Sequence, residues 1–202
     1  MLTHKQTIKL NHAIADKLLD RLGFVPFQPD NILELGRVDE YLSDKLSIYY
    51  PNAELYGLSE NIKKIKSINK NNIFFANLNK LPLPDNSVDL IISNLAIDCL
   101  NPNVEELFKE LHRIIRLDGL LLFTMLNKNF DTDKINNKDN EELLYIGDLL
   151  LINKFCDPVV DQELININYK SNNSDNKILT VEILYGHALG SNAIKTLVMI
   201  EE

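Results

Sequence analysis

Apolar residues along this chain follow two alternating patterns, one with the spacing of a helix and one with the continuity of a buried strand. Residues 3–22 place apolar side chains three or four positions apart with lysines between them, which predicts an amphipathic helix ended by Gly23 and Pro26. Short apolar runs that predict strands follow at Ile32–Leu35, Ala53–Leu58, Asn72–Ala76, Val88–Ser93 and Leu120–Leu126. The last run is almost wholly apolar, which is typical of a strand covered on both faces of a parallel sheet.

Helical segments separate several of these strands. Three are predicted, at Asp39–Tyr49, Glu60–Ile68 and Asn103–Arg116, and the third has the strongest apolar spacing. Leu81–Ser87 contains two prolines, which exclude both a helix interior and a central strand, so a turn is predicted there. The alternation of strands with helices at this length predicts a doubly wound α/β layer.

The last third of the chain has a different pattern. Residues 127–140 are polar and predict a loop, and Glu141–Phe155 predicts a helix. Val159–Tyr169 and Ile178–Ala188 alternate between apolar and polar positions, and the polar stretch Lys170–Lys177 between them predicts an antiparallel pair. The C-terminal segment is therefore expected to add antiparallel strands to an otherwise parallel sheet.

Composition is that of one globular domain. The chain has 202 residues, of which 45% are hydrophobic and 25% charged, and this length is sufficient to bury a full core. We find no internal repeat in the sequence. We expect one domain over residues 1–202, made of an N-terminal helix at 1–23, a Rossmann-like core at 31–126 and a C-terminal helix with antiparallel strands at 141–190.

Charge and cysteine content narrow the classes of partner and ligand. The formal net charge of −8 disfavours nucleic acids and anionic membranes, because both need concentrated Lys and Arg. Cys99 and Cys156 are far apart and no Cys/His cluster is present, which predicts no metal site and fits a reducing compartment. The first residues lack an apolar signal core, and no apolar run reaches about 18 residues, so a cytoplasmic protein without a membrane span is expected.

Several short motifs occur in an order that is known from one enzyme class. They are Ile32-Leu-Glu-Leu-Gly36, Leu81-Pro-Leu-Pro-Asp-Asn-Ser-Val-Asp-Leu90, Ser93-Asn-Leu-Ala-Ile97, Glu110-Leu-His-Arg-Ile-Ile-Arg116, Asp157-Pro-Val-Val-Asp161 and Tyr185-Gly-His-Ala-Leu-Gly190. With them the chain resembles the class I S-adenosylmethionine (SAM)-dependent methyltransferases, and among these the malonyl-ACP O-methyltransferases of biotin synthesis. The resemblance implies a mostly parallel seven-stranded sheet with helices on both faces and an antiparallel C-terminal edge. It also implies SAM as cofactor and an acyl-carrier protein as partner.

The resemblance is weakest in the turn after the first strand. Methyltransferases of this class carry three glycines there in the pattern G-x-G-x-G, and this chain keeps only Gly36, with Val38 and Glu40 at the other two positions. Glycines let the backbone bend sharply and approach the methionine and ribose of SAM. A β-branched residue such as Val38 is especially unfavourable at positive φ. The neighbouring Arg37 adds a bulky cation.

Two further positions differ from the pattern that the resemblance implies. Ser59, followed by Glu60, stands where an acidic residue accepts the ribose hydroxyls, and Asn77, followed by Leu78, stands where an Asp accepts the adenine amino group. A hydrogen bond to a charged group is worth about 1.5–3 kcal/mol, and a micromolar ligand has only about −8 kcal/mol of binding free energy. Changes at three corners of one pocket therefore predict weakened SAM binding.

The candidate site contains no predicted catalytic group. None of the four histidines has an Asp, Ser or Cys partner at a recognisable spacing. The resemblance implies that the remnant cofactor-binding positions are Glu34, Gly36, Ser59, Glu60, Asn77, Leu78 and Asn94. The related enzymes also carry an extra N-terminal segment and a longer stretch between the last two strands, so we expect a reduced substrate lid.

Three hypotheses follow from these observations. In the first, the chain is a degenerate methyltransferase whose SAM site is weakened or lost and whose role is binding or scaffolding. In the second, it still esterifies the malonyl group of malonyl-ACP, with Glu60 and Asn77 replacing the usual carboxylates. In the third, it is a subunit that needs a partner chain to complete its pocket.

Overall fold

Strands and helices alternate along most of the chain. The computed structural model describes residues 4–23, 26–36, 39–58, 72–74, 80–97, 103–126, 141–170 and 176–190. The strands are β1 (Asn31–Leu35), β2 (Glu54–Leu58), β3 (Asn72–Phe74), β4 (Val88–Asn94), β5 (Ile115–Leu126), β6 (Cys156–Lys170) and β7 (Asn176–Leu189). Among the described residues the helices are α1 (His4–Leu22), α2 (Tyr41–Tyr49), α3 (Val104–Ile114) and α4 (Glu141–Ile152).

The strands form one seven-stranded sheet in the order β3-β2-β1-β4-β5-β7-β6. Strands β1 to β5 pair in parallel, whereas β7 is antiparallel to both β5 and β6. The predicted parallel sheet with an antiparallel C-terminal edge is therefore confirmed. Residues 183–189 of β7 pair with β5 on one side, whereas the pairing with β6 on the other side extends from Asn176 to Leu189.

Two apolar cores lie on opposite faces of the sheet. On one face α3 and α4 pack on the strands, with Phe108 against Phe123 at 5.7 Å between ring centroids. On the other face α1 and α2 cover β1, β4, β5 and β7. The buried residues of α1 are Leu10, Ile14, Ala15, Leu18, Leu19 and Leu22, which is the apolar stripe expected from the sequence. The helices thus protect both faces, as a parallel sheet requires.

Some predicted boundaries are wrong. The predicted helix through Arg116 ends at Ile114, because Ile115 already pairs with Val88 as the first residue of β5. Helix α4 ends at Ile152 rather than Phe155, since Lys154 has a φ of 68° that no helix residue adopts. Strand pairing therefore overrides local apolar spacing at the end of α3. Strands β6 and β7 are longer than predicted, beginning at Cys156 and Asn176.

Other predictions fall outside the described residues. These are the lysine-rich helix at Glu60–Ile68, residues 75–76 of the third strand and the loop at 127–140. Within the described part of the chain, no helix combines the length and the apolar character needed to cross a bilayer.

A saturated ion pair fixes the predicted turn at the amino edge of the sheet. The carboxylate of Glu110 on α3 is buried and accepts the N–H of Leu81 at 2.6 Å and the guanidinium of Arg113 at 2.6 and 2.9 Å. Arg113 also donates to the carbonyls of Leu81 and Leu83 and to the carboxylate of Asp85. We call Glu110 and Arg113 with these turn residues the α3 clamp. It anchors the turn that precedes β4.

Candidate functional site

A small cavity lies at the carboxyl ends of β1 and β4. The order of the sheet reverses beside β1, which pairs with β2 on one side and β4 on the other, and open α/β sheets bind their ligands at such a point. Four elements line the cavity. They contribute Asn11, His12 and Ala15 from α1, Glu34, Leu35 and Gly36 from the end of β1, Asp39, Tyr41 and Leu42 from the start of α2, and Asn94 from β4.

Gly36 has the backbone conformation for which glycine is suited. Its φ is 73°, and its N–H donates to the carbonyl of Leu58 at 2.9 Å, so the turn continues the pairing between β1 and β2. This left-handed conformation is costly for residues that carry a Cβ. The first position of the expected glycine turn is thus retained in geometry as well as in sequence.

Glu40, at the third glycine position, has a different backbone. It is the N-cap of α2 with φ −92° and ψ −2°, in a right-handed region that any residue adopts. Glu40 therefore adds a side chain to this turn without backbone strain. Arg37 and Val38 lie outside the described residues.

Glu34 and Asn94 are the other candidate positions that the structure describes. Glu34 is buried at the end of β1. The side-chain amide of Asn94 donates to the carbonyl of Asn11 at 2.9 Å and accepts from the hydroxyl of Thr124 at 3.0 Å. Leu95, with a φ of 53°, donates its N–H to the same hydroxyl. Asn94 thereby ties α1 to the carboxyl edges of β4 and β5.

An aromatic and charged cluster fills the space between α1 and α2. The rings of His12 and Tyr41 are stacked, with 3.8 Å between centroids and 8° between planes. Nε2 of His12 donates to Oδ2 of Asp39 at 2.7 Å, and the hydroxyl of Tyr41 donates to the carboxylate of Asp16 at 2.7 Å. We call these four residues the His12–Tyr41 cluster. The cluster joins α1 to α2 beside the cavity.

Tyr41 is held in its neutral form by this cluster. The hydrogen bond to Asp16 and then burial raise the pKa of Tyr41 to about 12, because ionisation would place a phenolate beside a carboxylate. Lys45 lies 3.8 Å from Oδ1 of Asp16 and 5.4 Å from the centre of the Tyr41 ring. Asp39 also accepts the backbone N–H of Tyr41 at 3.0 Å, which caps the start of α2. The cluster is therefore built into the turn that follows Gly36.

The cavity beside the cluster is small. The remaining volume is about 20 Å³, enough for about one water molecule, whereas pockets for drug-sized ligands measure about 300–1,000 Å³. The described lining thus keeps the polar floor that a cofactor site needs, in Glu34, Gly36 and Asn94. The volume of the cavity is far below that of a pocket for a drug-sized ligand.

A row of polar residues continues from the cavity beneath α1 toward the C-terminal strands. Asn94, Thr124, Tyr185 and Asp161 are consecutive cross-strand neighbours on β4, β5, β7 and β6. Arg21 of α1 lies 4.0 Å above the ring of Tyr185 and donates to Asp161 at 2.7 Å.

A second ion pair joins α1 to the same strand, because Lys17 binds Glu163 of β6. Burial raises the pKa of Tyr185 and lowers that of His187, which lies two residues further along β7. Helix α1 therefore contacts the carboxyl edge of the sheet through polar as well as apolar side chains.

Three of the seven candidate residues, Glu34, Gly36 and Asn94, meet at this cavity. The other four predicted positions, Ser59, Glu60, Asn77 and Leu78, lie outside the described residues.

The sequence has no Asp, Ser or Cys partner for any histidine at a recognisable spacing, and the partner that His12 has in the structure, Asp39, lies 27 positions away. No local spacing indicates such a contact, because it depends on how α1 and α2 lie relative to each other. Among the described residues no group of three or more metal-ligating side chains is present.

Comparison with known proteins shows which family and which enzymes this chain resembles. Residues 36–123 match the family described as "Methyltransferase domain". Malonyl-[acyl-carrier protein] O-methyltransferase 1 of Coxiella burnetii is 31% identical over 167 residues, covering 79% of this chain and 58% of the relative. The malonyl-[acyl-carrier protein] O-methyltransferase of Legionella pneumophila is 26% identical over 187 residues, covering 83% and 65%. The matched part thus spans less than two thirds of either relative.

Solved structures report on the fold. The YcgJ protein of Bacillus subtilis superposes with a TM-score of 0.67 at 11% identity, covering 88% of this chain and 99% of that one. Phosphoethanolamine N-methyltransferase 2 of Haemonchus contortus, solved with S-adenosyl-L-methionine, has a TM-score of 0.61 at 13% identity, covering 91% and 53%. The chain therefore has the fold of the class I methyltransferases and is similar in sequence to malonyl-[acyl-carrier protein] O-methyltransferases.

Proposed function

We propose that this chain is a methyltransferase-fold protein of the malonyl-ACP O-methyltransferase type in which SAM binding is impaired, and that its role is binding or scaffolding. The observation that carries the proposal is the small volume, about 20 Å³, of the cavity beside Gly36, which is lined in part by the stacked rings of His12 and Tyr41. A cofactor must displace this stack and its hydrogen bonds before it reaches Glu34 and Asn94. The replaced glycines at Val38 and Glu40 support the same conclusion from the sequence.

Binding measured in solution tests the proposal directly. Titration calorimetry with SAM and with S-adenosylhomocysteine should give dissociation constants near millimolar, as expected when about 3–5 kcal/mol is missing from a micromolar site. The similar enzyme from Coxiella burnetii serves as the positive control under the same conditions. Low-micromolar binding of either nucleoside to this chain would overturn the proposal.

A second candidate function is carboxyl O-methylation of malonyl-ACP. The observation that favours it is the convergence of Glu34, Gly36 and Asn94 on one cavity, with Gly36 still in the left-handed conformation. Glu40 also places no strain on the turn. These features support a partly retained cofactor site, and the similarity to malonyl-[acyl-carrier protein] O-methyltransferases supports malonyl-ACP as the substrate.

Transfer of a labelled methyl group distinguishes the two functions. The chain is incubated with methyl-labelled SAM at high concentration and malonyl-ACP, and the ester is measured by mass spectrometry. Formation of malonyl-ACP methyl ester at a rate above that of the carrier protein alone would establish the enzyme. A protein that binds malonyl-ACP and forms no ester would instead have the binding role.

A further inference from the structure

We propose that His12 and Tyr41 form a gate over the cofactor cavity, and that His12 swings out to admit a SAM-type nucleoside. The inference rests on the proposed function, because it attributes the impaired binding to a reversible closure. It assigns to His12 a role in controlling ligand access that no sequence motif indicates.

The contacts that close the cavity are of a kind that breaks readily. The side chains of His12 and Asp39 are 32% and 39% exposed, so water is available to both once they separate. A partly exposed hydrogen bond contributes little net free energy because water replaces it. Rotamer changes of exposed side chains occur in picoseconds to nanoseconds. The arrangement in which His12 stacks on Tyr41 can therefore open without a large cost in free energy.

The supports of the cavity are independent of the gate. Helix α1 is held to the sheet by its buried apolar stripe and by the ion pairs of Lys17 and Arg21 near its end. The floor is held by the strand pairing of β1 and β4 and by the bond from Asn94 to α1. Movement of the His12 side chain therefore leaves the helix, the turn at Gly36 and the floor in place.

The two rings come from opposite sides of the cavity. His12 belongs to α1 and Tyr41 to the first turn of α2; their rings stack, and Asp39 bonds to the His12 ring and to the Tyr41 backbone. The hydroxyl of Tyr41 is bonded to both carboxylate oxygens of Asp16, whereas among the described residues the ring of His12 makes a hydrogen bond to Asp39 alone, so His12 is the side chain that turns away more easily. A ligand that binds only the open state has an apparent dissociation constant equal to its intrinsic value divided by the open fraction. Removal of the His12 ring should raise that fraction.

The experiment compares His12→Ala with His4→Ala in the full chain. Both substitutions replace a histidine of α1 by the best helix former, and His4 is exposed and outside the cavity lining. Affinity for S-adenosylhomocysteine is measured by calorimetry, after circular dichroism has verified folding. His12→Ala should bind at least about tenfold more tightly than the parent chain, a difference of ~1.4 kcal/mol. His4→Ala should bind like the parent.

Each outcome has a separate meaning for the two proposals. Equal weak binding by the parent and His12→Ala would overturn the gate and leave the proposed impairment standing. Tight binding by the parent would overturn the impairment. Should His12→Ala fail to fold, Asp39→Asn takes its place, because it removes the charge that holds His12 while an amide oxygen still accepts the Tyr41 N–H. Unchanged affinity in Asp39→Asn would then count against the gate.

Discussion

The α3 clamp and the His12–Tyr41 cluster lie at opposite edges of the sheet and use similar side chains in different ways. In the clamp, the guanidinium of Arg113 meets two carboxylates and two carbonyls, and the buried carboxylate of Glu110 is bonded on both oxygens. In the cluster, His12 and Asp39 share a single bond at a surface that is one-third exposed. The Glu110 carboxylate of the clamp is thus buried and saturated, whereas the bond between His12 and Asp39 is partly hydrated.

Deletion of Arg113 should have the largest effect on stability. Arg113→Ala leaves the buried carboxylate of Glu110 without its cation and releases the turn at Leu81, so the free energy of unfolding should fall by about 2–4 kcal/mol. Urea denaturation followed by circular dichroism measures the loss. Lys109→Ala, on the exposed side of the same helix, is the matched control and should change stability by less than about 0.5 kcal/mol. Equal effects of the two substitutions would show that the clamp does not anchor the turn.

Acid should weaken the same clamp to a smaller extent. The guanidinium of Arg113, and then the N–H of Leu81, hold the pKa of Glu110 below its ordinary value, although burial opposes them. The unfolded chain therefore binds this proton more readily, and the stabilisation present above the ordinary pKa is lost as pH falls through the folded pKa. The stability of Glu110→Gln should depend less steeply on pH below about 4.5 than that of the parent. Parallel pH profiles of the two chains would contradict this assignment.

Substitution of Gly36 distinguishes the two glycine positions of the turn. Gly36→Ala places a Cβ on a left-handed residue and should cost about 1–2 kcal/mol. Glu40→Gly should also lower stability, by less than about 1 kcal/mol, because it adds freedom to the unfolded chain where no glycine conformation is needed. Thermal unfolding of both variants measures the difference. An increase in stability from Glu40→Gly would mean that the native backbone at this position is strained.

The smallest effect should come from the ion pairs that hold α1 to β6. The side chains of Lys17 and Glu163 are 41% and 39% exposed, and such pairs contribute about 0.2–1 kcal/mol. Glu163→Gln should therefore lower stability within that range, and the difference should shrink in 1 M salt. Chemical denaturation at low and high salt provides the measurement. A salt-independent loss would indicate that the side chain acts through packing.

The fold could be predicted from the sequence because the spacing of apolar residues reflects which side chains are buried. The continuous run at Leu120–Leu126 and the stripe of α1 follow directly from which faces are covered. The end of α3 was not accessible, because pairing of Ile115 with Val88 depends on the position of another strand. The local spacing of apolar residues thus predicts the buried face of a helix or strand better than it predicts the residue at which that element ends.

The candidate site was accessible only in part. A glycine at position 36 indicates a left-handed turn. Asn94 stands at the carboxyl end of a buried strand, where ligand-binding residues of α/β sheets are expected. The partner of His12 could not be found in this way, because Asp39 lies 27 positions away on the approach to another helix. Contacts between elements that are distant in the sequence leave no local spacing.

The polar row beneath α1 has a consequence for how this helix can separate from the strands. The row provides hydroxyl, amide and carboxylate groups, which belong to Asn94, Thr124, Tyr185 and Asp161. The core positions beneath the same helix are apolar. Lifting a helix from hydrocarbon exposes a surface that water does not wet. Along the polar row, water can instead form hydrogen bonds. We therefore expect hydration of the underside of α1 to begin at this row, next to the cavity.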